Sequence, residues 1–264
     1  MSDLSYPKSK TNKVNRLGDR GKYDCKTVHE IIASSPVLHV SFSPSAEDFP
    51  VILPMIGKLG SFENPSADLT EPLDLYLHGY VSSRIMNLAR SSTKENSNLK
   101  VCVCATKVDG LVLSLTPNSH SMNYRSSVVF GTASLVTDLD EKLYAMKLIT
   151  NGVLEGRYEN TRIPPDGAEM SSTQILRVSI ESASAKVRAG EPGDYDKDLK
   201  REDLLDSVWT GVIPMYTTYG EPQPSNYNRV KEVPEYISNY VKDTGNAEKE
   251  YALAAITMDE AGAA

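Results

Sequence analysis

A chain of 264 residues with 40% hydrophobic content can bury a substantial core. Its formal net charge of −7 and pI near 5.2 argue against general binding to DNA, RNA or an anionic membrane, because counterion release and surface attraction both need a basic face. Three cysteines make no disulfide framework, the first residues hold no apolar leader core, and no stretch is long and apolar enough to span a bilayer, so a reducing, cytoplasmic setting is expected.

Residues 1–24 carry Lys8, Lys10, Lys13, Arg16, Arg20 and Lys22 without apolar periodicity, which predicts a solvated arm that only a partner surface would order. Thr27, with Glu30 three residues on, caps a short helix through Ile31, Ile32 and Ala33 that Pro36 stops. Residues 37–42 and 50–56 read as strands, and 57–72 as a loop. A third strand at 73–79 leads into a helix at 82–88 whose first turn holds Ser82 and Ser83. Residues 100–106 and 111–114 read as two strands joined by a turn at Asp109-Gly110. A long strand at 124–137 precedes an amphipathic helix that Asp138 or Asp140 begins, with Leu143, Met146, Leu148 and Ile149 on its apolar face. Strands at 175–187 and 207–216 complete the set, and helices at 233–241 and 247–256 fall outside the core.

Many strands in succession with few intervening helices predict a mainly β (α+β) antiparallel barrel with a few peripheral helices. Its expected plan is an N-terminal arm (1–24), one domain (25–220) and a C-terminal extension (221–264). No G-x-G-x-x-G or P-loop follows any strand, which excludes a Rossmann mode of nucleotide binding. Cys102 and Cys104 share one strand face, where they read as small core residues, and no His or Cys lies near them in sequence to complete a metal site. His29 is assigned to the surface and His39 to the core.

Two polar clusters carry the chemistry. In Leu75-Tyr76-Leu77-His78-Gly79, followed by Ser82-Ser83-Arg84, a strand runs into a helix start where backbone N–H groups, hydroxyls and a guanidinium can clamp a phosphate. The same residues also read as an ordinary serine cap with a solvated arginine. In the second cluster, His120 through Ser126, the residues Asn123, Tyr124, Arg125 and Ser126 can read, stack on and neutralise a planar, phosphorylated ligand. Strand alternation separates Asn123 and Arg125 from Tyr124 and Ser126, so some of them are structural. His120 is a possible proton donor or a solvated loop histidine. No G-x-S-x-G elbow supports serine hydrolysis.

Taken in order, Arg20-Gly21-Lys22-Tyr23-Asp24, the His78 cluster, Asp109-Gly110-Leu111-Val112-Leu113, His120 to Ser126, Gly156-Arg157, Ser184-Ala185-Lys186-Val187-Arg188 and Trp209-Thr210-Gly211-Val212-Ile213-Pro214 resemble one family. It is the flavin-nucleotide-binding branch of the pyridoxamine 5′-phosphate oxidase-like split β-barrels, which includes nitroimidazole-resistance proteins. The resemblance spans roughly residues 16–216 and implies an FMN-binding split barrel that forms a homodimer with flavin in grooves between subunits. It makes Ser82, Ser83 and Arg84 phosphate contacts, lines the groove with Asn123, Tyr124, Arg125 and Ser126, and sets His78 beside the flavin ring or the substrate. Trp209 then reaches the flavin or the dimer seam, or is a core aromatic. The implied function is electron transfer from NADH or NADPH to a small acceptor, with His78 and then His120 closest to the chemistry. The alternative is a non-catalytic protein that binds or senses flavin or haem, with His78 as a haem ligand. Ser119-His120 stands where the family often has two histidines, and no C-terminal Arg-and-His substrate motif of true pyridoxamine phosphate oxidases is found.

Overall fold

The computed structural model describes residues 4–44, 49–95 and 97–258. Its strands are β1 (Gly21–Lys22), β2 (Leu38–Phe42), β3 (Val51–Met55), β4 (Gly57–Gly60), β5 (Asp74–Tyr80), β6 (Leu99–Leu113), β7 (Ser121–Leu135), β8 (Thr173–Arg188) and β9 (Gly211–Pro214). The helices are α1 (Cys25–Ala33), α2 (Arg84–Lys94), α3 (Leu139–Val153), α4 (Gly167–Ser172), α5 (Asp196–Leu199), α6 (Glu202–Leu205) and α7 (Glu235–Ala254). The hydrogen-bonded order is β3-β2-β6-β7-β8-β5-β4, with β9 added to β6. This is the mainly β architecture expected. The path is open, yet its two edge strands, β3 and β4, are consecutive in the chain with only Ile56 between them.

The chain divides into two compact units, Met1–Thr106 with Ser126–Ala185 and Lys107–Arg125 with Lys186–Ala264. In the first, β2 alternates in burial as its sequence does, with Leu38, Val40 and Phe42 inside and His39 outside. On β5 the residues Leu75, Tyr76 and Leu77 are all fully buried, so both faces of this strand are covered. Each such apolar side chain contributes about 1.5–3 kcal/mol relative to exposure. Tyr76 carries a hydroxyl into that interior and donates it to Glu141 at 3.0 Å, while Arg177 donates to the same carboxylate at 3.0 Å. Glu141 lies in the first turn of α3, whose N-cap Asp138 accepts from the Glu141 amide.

Several expectations change. The segment at 57–60 is a strand rather than a loop, because Gly57 has no Cβ: one would lie 2.6 Å from Leu77 Cδ2 and 2.8 Å from the Tyr76 carbonyl oxygen. Asp24, not Thr27, caps α1, its carboxylate accepting from the Thr27 amide at 2.7 Å. Cys102 and Cys104 are half-buried, while Val101, Val103 and Ala105 between and beside them are buried, so the thiols face away from the core. Burial still pushes the Cys102 thiol up. His29 and His39 exchange places, with His29 fully buried and His39 exposed.

The described part of the N-terminal arm is ordered on its own chain and needs no partner surface. The Cys25 amide donates to the Leu4 carbonyl at 2.8 Å, and Asn12, only 3% exposed, donates to the carbonyls of Pro7 and Ala183. Tyr6 donates its hydroxyl to His29 Nε2 at 2.6 Å, while His29 Nδ1–H donates to the Leu69 carbonyl at 2.9 Å. Both bonds suit the neutral imidazole. In the second unit, Asp109-Gly110 lies inside the continuous strand β6 rather than at a turn. Gly110 lets β9 approach, since a Cβ there would lie 2.8 Å from Val212 Cγ1.

Burial lowers the His29 pKa below its ordinary 6.5. The unfolded chain therefore binds more protons than the folded one as the pH falls from about 6.5 through the folded pKa, and the neutral imidazole's share of stability, present above 6.5, is lost over that window. Denaturant midpoints measured from pH 7.5 to 5 should fall, and His29→Gln should flatten that dependence. Tyr76→Phe should lower stability by about 1.5–3 kcal/mol, the worth of a buried hydrogen bond to a charged group, measured by urea unfolding.

Candidate functional site

In the first unit, β5 delivers His78 and Gly79 to the start of α2. The backbone is pinned there: His78 N–H donates to the Ile56 carbonyl at 3.0 Å, Val81 N–H to Ser172 at 3.0 Å and Ser83 N–H to Tyr80 at 2.9 Å. Asn87 Nδ2 donates to the Ser82 carbonyl at 3.0 Å, and Arg90 to the Val81 carbonyl at 3.1 Å. The first helical bond of α2 runs from the Asn87 amide to the Ser83 carbonyl at 3.0 Å. The amides of residues 84–86 thus lie at the positive end of the helix, beyond the reach of its own carbonyls.

Ser83 is the N-cap residue, yet its hydroxyl makes no capping bond. Its Oγ is buried and has no hydrogen-bond partner within the structure. An orphaned buried hydroxyl costs about 1–3 kcal/mol, a cost that a ligand oxygen would remove. Gly79 lies beside it. A Cβ at Gly79 would stand 3.6 Å from Ser83 Oγ, 3.6 Å from Met55 Cε and 2.7 Å from Met86 Cε, so the missing side chain lets the Met86 methyl group pack close to the backbone beside Ser83. Ser82 and Arg84, on either side of Ser83, are exposed. His78 is exposed as well, although desolvation by surrounding protein lowers its pKa below 6.5, which keeps the imidazole neutral at pH 7. Ser126, half-buried on β7, also belongs to this unit, and its neighbour Ser127 holds a second buried hydroxyl without a partner.

The other residues singled out in the sequence lie in the second unit, and two of them are engaged by their own chain. Asn123 is fully buried; it accepts from Arg188 and donates to the Gly190 carbonyl at 3.1 Å. Arg125 grips Asp109 through two bonds, Nε at 3.0 Å and NH2 at 2.6 Å, with the Tyr251 ring 3.5 Å from its guanidinium carbon. Asn123 and Arg125 thus lie beneath α7, which is one continuous helix rather than the two expected outside the core. Tyr124 is half-buried. His120 is exposed, and its Nδ1–H donates to the Thr116 carbonyl at 3.0 Å. Trp209 is 67% exposed and so not a core aromatic; its ring lies over Gly211, whose φ of +153° and crowded Cβ direction, 2.8 Å from Trp209 Cη2, leave room for glycine alone.

Sequence reading missed Met55, Met86 and Ser127, which only strand and helix packing bring into play. Among the described residues, no group of three or more His, Cys, Asp and Glu could hold a metal ion, and no helix is long and apolar enough to cross a membrane.

The family model described as pyridoxamine 5′-phosphate oxidase matches residues 24–187. The chain belongs to this family. Among solved structures it is similar to the flavocytochrome Anf3 from Azotobacter vinelandii, at 25% identity over 88% of this chain and 97% of that one, with a TM-score of 0.72. It is also similar in fold to the FAD and haem binding protein from Mycobacterium smegmatis, at 22% identity over 84% of this chain and 97% of that one, with a TM-score of 0.68. A comparison with curated proteins gave no match. The family match covers His78 and the start of α2 and ends before Trp209 and α7.

Arg125→Ala should leave the Asp109 carboxylate, only 3% exposed, without its charged partner. The expected loss is about 3–5 kcal/mol of stability, the cost of breaking a buried ion pair from one side. Chemical denaturation measures it. A stable variant whose only defect is ligand affinity would return Arg125 to the ligand groove.

Proposed function

We propose that the chain is a flavin-binding protein that holds FMN at the start of α2 and passes electrons from a reduced nicotinamide to a small acceptor. The observation that carries this reading is the Ser83 hydroxyl, buried and unpartnered at a helix N-terminus beside Gly79, in a chain of the pyridoxamine 5′-phosphate oxidase family. The residues fit a phosphate. Ser83 Oγ and Ser82 donate to it, the first-turn amides of α2 add N–H groups and dipole, and the Arg84 guanidinium adds a bidentate charge. Gly79, without a side chain, lets Met86 pack close to the strand beside Ser83. A bound flavin accepts a hydride and returns electrons singly or in pairs, chemistry that no side chain here supplies. His78, neutral at pH 7, orients the acceptor by hydrogen bonding or gives up a proton in the more acidic range where it becomes protonated. We further infer a cytosolic homodimer whose subunits share the flavin grooves.

FMN is favoured over FAD because the clamp is built for a terminal phosphate and the sequence holds no dinucleotide fingerprint. Cofactor released by denaturation identifies it: FMN is expected, and FAD would overturn this part of the reading. A second reading, binding of haem as well as flavin, is supported by the two solved structures above, of a flavocytochrome and of a FAD and haem binding protein. The absorption spectrum after reconstitution decides between them, since flavin gives its own near-ultraviolet and blue bands and haem adds a Soret band.

Arg84→Ala should weaken FMN binding by about 1.5–3 kcal/mol with the thermal midpoint of the apoprotein unchanged, because a charged contact at a ligand mouth adds affinity without supporting the core. Fluorescence titration of FMN reads the loss. His78→Ala should lower turnover with NADH and an artificial acceptor more than it lowers FMN affinity; equal turnover in an FMN-loaded variant would remove His78 from the chemistry.

A further inference from the structure

We propose that the face of β6 and β7 beneath α7 is a binding site for an aromatic carboxylate, and that Glu248 and Tyr251 of α7 fill it as a built-in occupant. The site lies wholly within the second unit and is independent of the flavin reading. Lys107 and Arg125 project from the two strands with side chains 12% and 14% exposed. The Glu248 carboxylate bridges them, pairing with Lys107 through one oxygen and lying 3.9 Å from the Arg125 NH2 through the other. One helical turn on, the Tyr251 ring stacks on the Arg125 guanidinium at 3.5 Å. A carboxylate between two cations with an aromatic ring on a guanidinium plane is the contact set by which a protein recognises an aromatic acid. Asp109 grips the guanidinium from its Nε and NH2 edge and so fixes its plane for stacking.

Of the twenty residues of α7 only Ala252 is fully buried, Ile237, Tyr240, Val241, Glu248 and Tyr251 are half-buried, and Leu253 is 46% exposed. Its contacts with Lys107 and Arg125 run through Glu248 and Tyr251, while the Ala255 carbonyl at its C-cap accepts from the Gly190 amide at 2.7 Å. With Glu248 withdrawn, Lys107, Arg125 and Asp109 together carry one net positive charge, which one carboxylate balances. A molecule that supplies both carboxylate and ring makes the same contacts and shifts α7 toward a released state by its differential affinity for the two arrangements.

The test uses the full chain and 4-hydroxyphenylacetate, which joins the ring of Tyr251 to a carboxylate. Hydrogen exchange of wild-type protein with saturating probe should show amides in 235–254 exchanging several-fold faster, with those of β2 unchanged. Calorimetry should find the probe bound at least tenfold more tightly by Glu248→Ala/Tyr251→Ala than by wild type, with the gain abolished by adding Lys107→Ala. Equal affinity for wild type and the double variant, or α7 exchange that ignores the probe, overturns the proposal. Should the double variant lose β2 protection and so fail to fold, the wild-type exchange result decides alone. Flavin content, followed by absorbance in the same samples, separates a failure here from a failure of the flavin site.

Discussion

The covering of β5 on both faces is the constraint on which the first unit depends. A strand whose Leu75, Tyr76 and Leu77 are all sealed from water cannot leave a phenol unpaired there, because an unsatisfied hydroxyl at that depth cancels much of what the apolar neighbours contribute. Glu141 answers the hydroxyl, and Arg177 answers Glu141. That chain of requirements fixes α3 against the sheet through its first turn. It also sets where β5 ends, since the register that buries Leu77 opposite Leu176 leaves His78 and Gly79 as the residues that emerge at the edge of the core. The placing of His78 and Gly79 before α2 thus follows from packing.

Within that frame the start of α2 departs from what stability alone would select. An N-cap serine ordinarily satisfies a first-turn amide; Ser83 instead keeps its hydroxyl buried and unbonded while Asn87 and Arg90 tie down the preceding carbonyls. The turn is thus rigid in its backbone and unsatisfied in its side chain. Local rules broken in this way mark functional or strained positions. Gly79 adds to the crowding, since a side chain there would press on Met86.

The legible parts of the sequence were those in which local chemistry and tertiary role agree. The alternation of Leu38, Val40 and Phe42 states its structure within a few residues, Asp138 rather than Asp140 proves to be the cap of α3, and α2 begins at Arg84, just after the serines expected in its first turn. Asp109-Gly110 misled because its two signals serve different partners, the carboxylate binding Arg125 and the bare Cα admitting Val212. Neither partner is a sequence neighbour. The helices expected at 233–241 and 247–256 are one continuous helix, α7, in which Gly245 lies beside Thr218. His29 and His39 exchanged roles because burial of an imidazole depends on whether both nitrogens find partners, and His29's partners, Tyr6 and Leu69, lie far from it in the chain.

The polar run from Asn123 to Ser126 shows how one stretch can serve two ends. Alternation along β7 turns Asn123 and Arg125 to one face, where Arg188, Asp109 and Tyr251 meet them, and leaves Ser126 in the other unit, on the strand that carries the orphaned Ser127 hydroxyl. Buried charges such as these add little net stability compared with apolar residues of the same volume, because desolvation offsets most of their attraction. What they add is selectivity of arrangement: Lys107 and Arg125 accept only a partner that brings negative charge to one place and a flat ring to another. Glu248 and Tyr251 meet both conditions from a segment outside the family match, so the strands hold a recognition surface whose chemistry does not depend on α7 being the molecule that fills it.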